Sequence, residues 1–282
     1  MTAQIIDGRL IASQVRRDLQ NKIATLPQAP QLAIILVGND DSSLIYVRNK
    51  QKAAAEIGLQ TKLFHLEENT SEDKVLQLID SCNSDVAVNG IIVQLPLPAH
   101  LNTHRIINRI SPLKDVDGFH PYNTGMLQNN EKPYFIAATP LGIMTLIQTV
   151  CPNLSGKNVV IIGASLIVGR PLATLMLNQE CTVTITHIHT QNIKELTRKA
   201  DILVAACGVA KLVKKDWLKE DVILIDVGIN RENGKICGDI DFDDVAPHAK
   251  AITPVPGGVG PMTIAMLLQN TVDAYLLQHS PL

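Results

Sequence analysis

Aromatic side chains are scarce in this chain. They make up 3% of its 282 residues, whereas hydrophobic residues as a whole make up 46%. A core must therefore be assembled from Ile, Leu, Val and Ala, which is typical of parallel strands covered by helices on both faces. The length exceeds the usual size of a single domain, and two α/β domains of ~100–150 residues fit it better than one.

The sequence also lacks an excess of charge of one sign, paired cysteines and long apolar runs. A formal net charge of −2 argues against a nucleic-acid or membrane-surface protein and favours small-molecule partners. The five cysteines are widely spaced and never form a C-x-x-C pair, so we expect neither disulfides nor a metal site. Without a signal-like N-terminus or a run of 18 apolar residues, the expected location is the cytoplasm.

Strand and helix patterns alternate through the first half. Ile11, Val15, Leu19 and Ile23 recur every four residues and predict a first amphipathic helix. The following elements are a strand at 32–37, a helix at 42–57, a strand at 61–66, a helix at 70–82, a strand at 90–95 and a short helix at 102–110. A polar stretch at 111–133 has little periodicity and suits a site or a linker.

The second half repeats the alternation. A helix is predicted at 140–150 and another at 264–277, after a segment at 252–263 that holds three prolines and three glycines. Four apolar runs between them predict one doubly wound parallel sheet, with strands at 158–162, 182–186, 202–206 and 222–227. We therefore predict domains at 1–137 and 138–261, with a C-terminal helix of about 262–282 packing back on the first. Two such lobes predict a ligand cleft between them.

A glycine loop follows the strand at 158–162. It reads Gly163-x-Ser165-x-x-x-Gly169, a variant of the G-x-G-x-x-G pattern in which glycines let backbone N–H groups approach a pyrophosphate at a helix N-terminus. An ordinary strand–turn–helix with packing glycines is the alternative. No acid that could accept the ribose 2′-hydroxyl of NAD lies about 20 residues on, and His187-Ile188-His189 ends the next strand, so NADP is favoured over NAD.

Three polar residues in the first lobe could carry chemistry. Tyr46 and Lys50 are four apart and share a helical face, and burial could lower the pKa of the lysine toward use as an acid or base. A solvated lysine beside a half-buried tyrosine is the plainer interpretation. Gln94 ends an otherwise apolar strand, where a polar group must be satisfied or functional.

Two carboxylates, Asp115 and Asp117, stand two apart in the polar stretch. Asp beside Gly commonly caps turns, which could be the role of both. A carboxylate reaching into the cleft would instead suit an amidine-like ligand edge, whose paired N–H donors meet two oxygens.

Six motifs, in order and nearly end to end, resemble the bifunctional methylenetetrahydrofolate dehydrogenase/methenyltetrahydrofolate cyclohydrolase family. They are Tyr46-Val-x-x-Lys50, Gly90-Ile-Ile-Val-Gln-Leu-Pro-Leu-Pro98, Pro112-x-Lys-Asp-Val-Asp-Gly-Phe-His-Pro121, Gly163-x-Ser-x-Ile-Val-Gly-x-Pro171, Asp226-Val-Gly-Ile-Asn230 and Thr253-Pro-Val-Pro-Gly-Gly-Val-Gly-Pro-Met-Thr263. No single motif would be decisive, but chance similarity over all six is negligible.

The resemblance implies a folate-binding catalytic domain at 1–137, a Rossmann-like NADP-binding domain at 138–261, and two reactions in one site. These are NADP-dependent oxidation of 5,10-methylenetetrahydrofolate to the methenyl cation, and hydrolysis of that cation to 10-formyltetrahydrofolate. It further implies a cytoplasmic homodimer that serves purine, methionine and histidine biosynthesis. Tetrahydrofolate derivatives would be its ligands, with no metal, nucleic acid or membrane partner.

By the same resemblance, Lys50 is the key catalytic group, Gln94 holds it, Tyr46 orients the folate and Asp117 grips the pterin. Further substrate contacts fall on Val93, Leu95, Pro256, Gly257, Gly258, Val259 and Gly260. Cofactor contacts fall on Gly163, Ala164, Ser165, Ile188 and Ile229.

The sequence departs from the family pattern at three places. Ala164 stands where many members have an arginine that could bind the 2′-phosphate, and Ile188 stands where many have serine. His187, His189 and Arg170 are the candidate substitutes, and the sequence does not choose among them. Ala137-Ala138 replace the usual Pro-Cys, which we expect to alter packing between the lobes rather than chemistry.

Two rival functions stay open at this point. A family member that has kept only the dehydrogenase would lack hydrolysis, and a non-catalytic nucleotide-binding regulator would bind the cofactor without turnover. The intact set of Tyr46, Lys50, Gln94 and Asp117 argues against the regulator. A dinucleotide module of unrelated dehydrogenase type would leave the first lobe unexplained.

Overall fold

The computed structural model describes residues 3–232 and 234–279 and divides the chain into two compact units. One, here called the three-stranded unit, comprises Gln14–Ala138 and the residues from Ile264 onward. The other, the six-stranded unit, comprises the residues up to Ser13 and Thr139–Thr263. Each unit has its own parallel sheet.

Strands and helices alternate along most of the chain. In chain order the strands are β1 (Gln4–Ile5), β2 (Gln31–Val37), β3 (Gln60–Leu66), β4 (Gly90–Val93), β5 (Asn158–Ile162), β6 (Thr182–Thr186), β7 (Ile202–Ala205), β8 (Val222–Asp226), β9 (Asn230–Glu232), β10 (Lys235–Cys237) and β11 (Ala249–Ile252). The helices are α1 (Gly8–Ile23), α2 (Asp41–Glu56), α3 (Glu72–Ser84), α4 (Thr103–Ile107), α5 (Pro121–Gln128), α6 (Ala138–Gln148), α7 (Gly169–Asn178), α8 (Ile193–Thr197), α9 (Phe242–Val245) and α10 (Val259–His279).

The sheet of the three-stranded unit has the order β3-β2-β4, and both pairings are parallel. Its central strand β2 is a continuous apolar run with six buried residues, as expected for a strand covered on both faces. Helix α2 follows β2 and is capped by Asp40, whose carboxylate accepts a hydrogen bond from Ser43 N at 2.8 Å. This cap sets where Tyr46 and Lys50 fall on the helix.

The sheet of the six-stranded unit has the order β1-β11-β8-β7-β5-β6, with parallel pairing throughout. The chain runs from β5 outward to β6 and then crosses back to β7, so the strand order reverses between β5 and β7. In open α/β sheets a ligand binds at the carboxyl ends of the strands beside such a reversal. The predicted doubly wound fold is confirmed, with β11 and β1 added at one edge.

Both cores are aliphatic, as the shortage of aromatics predicts. In the three-stranded unit, buried side chains of β2, β4, α3 and α4 form one cluster that includes Ile35 and Ile79. In the six-stranded unit, β5, β7, β8 and β11 supply most of the cluster, and Trp217 is the one tryptophan of the chain. Fully burying each such aliphatic side chain is worth roughly 1.5–3 kcal/mol.

Several expected boundaries were wrong. The polar stretch at 111–133 contains helix α5, which begins with Pro121 and is capped by the His120 side chain. The last helix begins at Val259 rather than at 264, because Pro261 is tolerated in a first turn. Strand β4 ends at Val93, so Gln94 follows the strand instead of ending it.

The residues up to and including Ser13 group with the six-stranded unit, whereas the sequence analysis expected all of 1–137 in one domain. The reason is β1, which pairs in parallel with β11 through Gln4 and Ala251. The segment after Ile264 groups with the three-stranded unit, where Asn270 Nδ2 donates to the carbonyl oxygens of Val116 and Ile136. Positions 1–2, 233 and 280–282 of the expected domains lie outside the described residues.

Candidate active site

Lys50 and Gln94 form a hydrogen-bonded pair at the carboxyl end of the three-stranded sheet. Lys50 Nζ donates to Gln94 Oε1 at 3.0 Å, and Gln94 Nε2 donates to the Leu95 carbonyl oxygen at 2.7 Å. The second bond fixes the amide so that its oxygen faces the lysine. Burial lowers the pKa of the Lys50 ammonium, and the carboxylate of Asp117 opposes this shift.

The two carboxylates of the polar stretch have different surroundings. Asp115 is buried, and its Oδ2 accepts from His120 N at 2.8 Å and from Asn123 Nδ2 at 2.9 Å. Burial raises the pKa of Asp115 to about 7. Burial raises the pKa of the Asp117 carboxyl, and the ammonium of Lys50 opposes this shift. Asp115 therefore organises the turn, and Asp117 is the carboxylate that faces the lysine.

The other predicted residues of this unit lie beside the pair. Tyr46 is one turn before Lys50 on α2 and is 37% exposed, and burial of the remainder raises the pKa of its phenol. Val93 is 4% exposed and packs in the core cluster of the sheet. Leu95 begins the turn after Gln94, and its peptide bond to Pro96 is cis. The unit thus presents a phenol, an amine, an amide and a carboxylate near one strand end.

Residues 256–260 lie in the six-stranded unit, between β11 and the first turn of α10. Gly257 has a φ of +115°, a conformation that only glycine adopts readily. A side chain at Gly258 would lie 2.7 Å from the Pro254 carbonyl oxygen. Pro256 is exposed, whereas Val259 is buried in the first helical turn. Main chain, rather than side chains, is what this segment offers to a ligand.

The glycine loop after β5 makes close backbone contacts. Gly163 has a φ of +113°, and a side chain there would collide with the Ala206 carbonyl oxygen at the end of β7. A side chain at Gly169 would collide with the Gly163 carbonyl oxygen. Both glycines therefore permit close backbone contact, which is what the fingerprint requires of them and also what the packing alternative would require.

Ser165 and Arg170 are tied to the same loop. Ser165 Oγ accepts from Val168 N at 3.2 Å and from Gly169 N at 3.4 Å at the start of α7. The hydroxyl hydrogen is left able to donate to an anion. Arg170 Nε donates to the Ala164 carbonyl oxygen at 3.1 Å, which holds the guanidinium beside the residue where many family members carry an arginine.

A compact turn follows β6. His187 N donates to Thr190 Oγ1 at 2.9 Å, and His189 N donates to His187 Nδ1 at 3.2 Å. Nδ1 of His187 is thus an acceptor, so its neutral ring carries its proton on Nε2. Ile188 is 94% exposed, and Ile229, after β8, is 53% exposed. Exposed apolar residues at strand ends are available for ligand contact.

Sequence reasoning gave no role to the acids Asp226 and Asp239. Asp226 is 4% exposed and Asp239 is fully buried, and each accepts hydrogen bonds from main-chain N–H groups. Burial raises the pKa of Asp226 to about 7. Two glycines were the one signal in the sequence. A side chain at Gly228 would collide with the Asp239 carboxylate, and a side chain at Gly238 would collide with the Asp226 carboxylate.

Two family models match the chain. The catalytic-domain model of tetrahydrofolate dehydrogenase/cyclohydrolase matches residues 6–117, and the NAD(P)-binding-domain model of the same family matches residues 137–279. The chain belongs to the tetrahydrofolate dehydrogenase/cyclohydrolase family. Lys50, Gln94 and Asp117 fall within the first match, and the glycine loop falls within the second.

Known members are similar over almost their whole length. The bifunctional protein FolD of Aquifex aeolicus is 48% identical over 277 residues, which cover 97% of this chain and 95% of the Aquifex protein. A crystal structure of the FolD enzyme from Campylobacter jejuni is 46% identical, with a TM-score of 0.96 and coverage of 97% and 98%. The Trypanosoma brucei enzyme, solved with NADP cofactor and inhibitor, is 35% identical, with a TM-score of 0.94 and coverage of 98% of both chains.

No helix within 3–232 and 234–279 is long and apolar enough to cross a bilayer. The same residues contain no cluster of three or more His, Cys, Asp or Glu side chains arranged to hold a metal ion.

Proposed function

We propose that this protein is a bifunctional enzyme of folate metabolism. It oxidises 5,10-methylenetetrahydrofolate with NADP to the methenyl cation, and it hydrolyses that cation to 10-formyltetrahydrofolate. The observation that carries the proposal is the Lys50–Gln94 pair, at 3.0 Å, inside the segment matched by the family's catalytic-domain model. The pair supplies the acid–base group that hydrolysis needs and that a dehydrogenase alone does not.

The residues at the end of β5 fit a dinucleotide. Gly163 and Gly169 clear the space in which a backbone can approach a pyrophosphate, and the Ser165 hydroxyl can donate to it. We assign the phosphates to Gly163, Ala164 and Ser165, with Ile188 toward the adenosine half and Ile229 toward the nicotinamide half. NADP supplies a hydride acceptor when bound, so the protein needs chiefly to hold and orient it.

Lys50 would manage the proton in hydrolysis. When neutral, its Nζ can accept a proton from the water that attacks the methenyl carbon, and it can return a proton as the ring opens. Burial favours the neutral amine by lowering the pKa of Lys50, and a bound methenyl cation would lower it further by charge repulsion. Gln94 keeps Nζ in place without adding a charge.

The other residues would bind and orient the folate. Asp117 would accept paired hydrogen bonds from the amidine-like edge of the pterin, and Tyr46, 37% exposed, offers a ring for stacking. Because Val93 is buried, we assign its contact, like that of Leu95, to the main chain. Residues 256–260 would likewise contribute backbone to a flat ligand.

Preference for NADP over NAD depends on what replaces the missing arginine. Arg170 is held beside Ala164, and the neutral His187 ring carries its proton on Nε2. Either group could contact a 2′-phosphate, and His189 is the third candidate. No acidic side chain lies in the turn 187–190 to repel that phosphate.

We extend the proposal to the setting of the enzyme on the basis of its family. It would act as a homodimer in the cytoplasm and supply one-carbon units for purine, methionine and histidine biosynthesis. Light scattering on the purified protein tests the dimer, and cell fractionation tests the location.

The test of function is a coupled assay. Purified protein is mixed with methylenetetrahydrofolate and either NADP or NAD, and formation of the reduced cofactor is followed. The absorbance of the methenyl product is then followed for decay above the spontaneous rate. The proposal predicts turnover with NADP followed by enzymatic decay. Oxidation without enzymatic decay would leave a dehydrogenase alone, and cofactor binding without turnover would favour a regulator.

A further inference from the structure

Two carboxylates with almost no solvent exposure lie at the end of β8 in the six-stranded unit. Asp239 Oδ2 accepts from Cys207 N at 2.7 Å and from Gly208 N at 2.9 Å, and its Oδ1 accepts from Asn230 Nδ2 at 2.9 Å. Asp226 accepts from the backbone N–H groups of three further residues, Gly228, Asp239 and Ile240. Charges so deeply buried are tolerated only when they are paired or hydrogen-bonded in this way.

The donors to Asp239 come from the loop after β7 and from the first residue of β9. Cys207 and Gly208 follow β7, and Asn230 follows β8 and stands next to Ile229. The three donors lie 32, 31 and 9 positions from Asp239 in the sequence, so the carboxylate holds together segments that are distant along the chain. The backbone at Gly228 is so close to Asp239 that a side chain there would collide with the carboxylate.

The loop after β7 lies where the strand order of the sheet reverses. Its first residue, Ala206, has its carbonyl oxygen against Gly163 of the phosphate loop, so closely that no side chain would fit at Gly163. A displacement of Cys207 and Gly208 would therefore reach the phosphate loop directly. The half of a doubly wound sheet that contains β7 and β8 carries the second nucleotide of a dinucleotide.

We propose that Asp239 is a positioning residue for the dinucleotide, whose carboxylate holds the loop after β7 and the Asn230 side chain in the arrangement that receives the nicotinamide half. Asp239 itself is buried and touches no ligand. The inference rests on the proposed function, because it requires that the carboxyl ends of β7 and β8 face NADP.

Asp239→Asn removes the charge of the acceptor while the size of the side chain is kept. The amide oxygen can accept from Cys207 and Gly208, and the new NH₂ group then faces the Asn230 side chain. If the Asn230 amide turns so that its oxygen accepts from that NH₂ group, all three contacts persist, but each then joins neutral groups and loses the charge assistance of the carboxylate.

The experiment measures the Kd for NADP by titration calorimetry, without folate and without turnover. Asp239→Asn should weaken binding at least tenfold. Asp243→Asn, which removes the same charge from an exposed position four residues on, should leave Kd within twofold. An unchanged Kd in folded Asp239→Asn would overturn the proposal. Failure of wild-type turnover would instead overturn the proposed function, whatever the variants bind.

A second variant separates positioning from stability. In Asp239→Asn combined with Asn230→Asp, the new amide NH₂ donates to the new carboxylate, and a charge-assisted contact is restored with its roles exchanged. The double variant should recover at least half of the lost binding free energy. If it binds as poorly as the single variant while both melt near the wild-type temperature, the hydrogen bonds of Asp239 do not set affinity.

If Asp239→Asn does not fold, Asn230→Ala, which removes only one donor, should weaken NADP binding about threefold, and no change would contradict the proposal.

The thiol of Cys207 reports on the same carboxylate without any ligand. Burial, with the charge of Asp239 as the next cause, raises the pKa of Cys207 to about 11. Alkylation at neutral pH, resolved by mass spectrometry, should therefore be slow in wild type and several-fold faster in Asp239→Asn. Cys151 and Cys237 should keep their rates. Equal acceleration at all cysteines would indicate general unfolding and contradict a local role.

Discussion

Each unit holds ionisable groups at the carboxyl end of its parallel sheet, but the two sets differ in how far they are satisfied. In the six-stranded unit, Asp226 and Asp239 accept three hydrogen bonds each, five of the six from backbone N–H groups. In the three-stranded unit, within the described part of the chain, Lys50 Nζ donates one hydrogen bond, to Gln94. A charged lysine amine has three protons to donate.

The difference separates two uses of buried charge. A carboxylate whose acceptor capacity is filled by backbone is costly to disturb, and it therefore fixes loops in place. An amine with one neutral hydrogen-bond partner can still donate to a ligand, and burial lowers its pKa although the Asp117 carboxylate opposes the shift. We therefore propose that the three-stranded unit supplies the proton-transfer group and that the six-stranded unit positions the cofactor.

The largest expected effect comes from removing the amine. Lys50→Met keeps the length of the side chain and deletes its proton chemistry, so cyclohydrolase activity should fall about 10²–10⁴-fold, the usual contribution of a general acid or base. Lys52→Met, exposed on the same helix, is the matched control and should retain full activity. The rate of methenyltetrahydrofolate decay is measured for both. Normal hydrolysis by Lys50→Met would remove the catalytic role assigned to it.

Changing the partner of the lysine should shift its titration. Gln94→Glu places a carboxylate where an amide oxygen lies 3.0 Å from Nζ, which stabilises the ammonium and raises the pKa of Lys50. If the neutral amine is the active form, the rising limb of the pH–rate profile for hydrolysis should move to higher pH. Activity at neutral pH should then fall about tenfold or more. A profile that stays in place would mean that another group titrates.

Asp115 provides a test of stability rather than chemistry. Its pKa is 3.8 in the unfolded chain and about 7 in the folded protein, so its contribution is present at low pH and lost as pH rises through 7. Relative to Asp115→Asn, the wild type should lose about 2–3 kcal/mol of unfolding free energy between pH 5 and pH 8. Urea denaturation at both pH values measures this. A constant difference would show that Asp115 is ionised throughout.

The smallest expected effect concerns cofactor choice. Ala164→Arg restores the cation that many family members have, and an exposed ion pair is worth at most about 1 kcal/mol. The ratio of kcat/KM for NADP to that for NAD should therefore rise by no more than about fivefold. Ala164→Met is the uncharged control. A larger increase would show that Arg170 and the histidines of the turn contribute little to selection of the 2′-phosphate.

The sequence predicted the elements whose periodicity is strong. The apolar run at 158–162 is a strand with the expected bounds, because a continuous apolar run is typical of a strand buried on both faces. Strand β1 has only two residues and both are exposed, so nothing in its composition marks it. Helix α5 begins with a proline inside a polar stretch, and its cap is a histidine, which is an uncommon capping residue.

The residues of the candidate site also differ in whether one sequence could identify them. Tyr46, Lys50 and Gln94 could be chosen because helical spacing and a polar residue after an apolar strand are visible in one sequence. The residues alone did not separate Asp117 from Asp115; the family resemblance selected Asp117, and the structure gives the two carboxylates different partners. Asp239 was not selected, because two of its three donors are backbone N–H groups 31 and 32 positions away, which carry no sequence signal. A glycine such as Gly228 does not by itself reveal which side chain lies against it.

One measurement tests most directly whether proton transfer and cofactor positioning belong to different units. It is the rate of methenyltetrahydrofolate hydrolysis, without NADP, by Lys50→Met and by Asp239→Asn. We expect Lys50→Met to be nearly inactive. Asp239→Asn should hydrolyse methenyltetrahydrofolate within about threefold of the wild-type rate despite its weaker NADP binding. Equal losses in both variants, with both folded, would contradict it, because proton chemistry and cofactor positioning would then not reside in separate units.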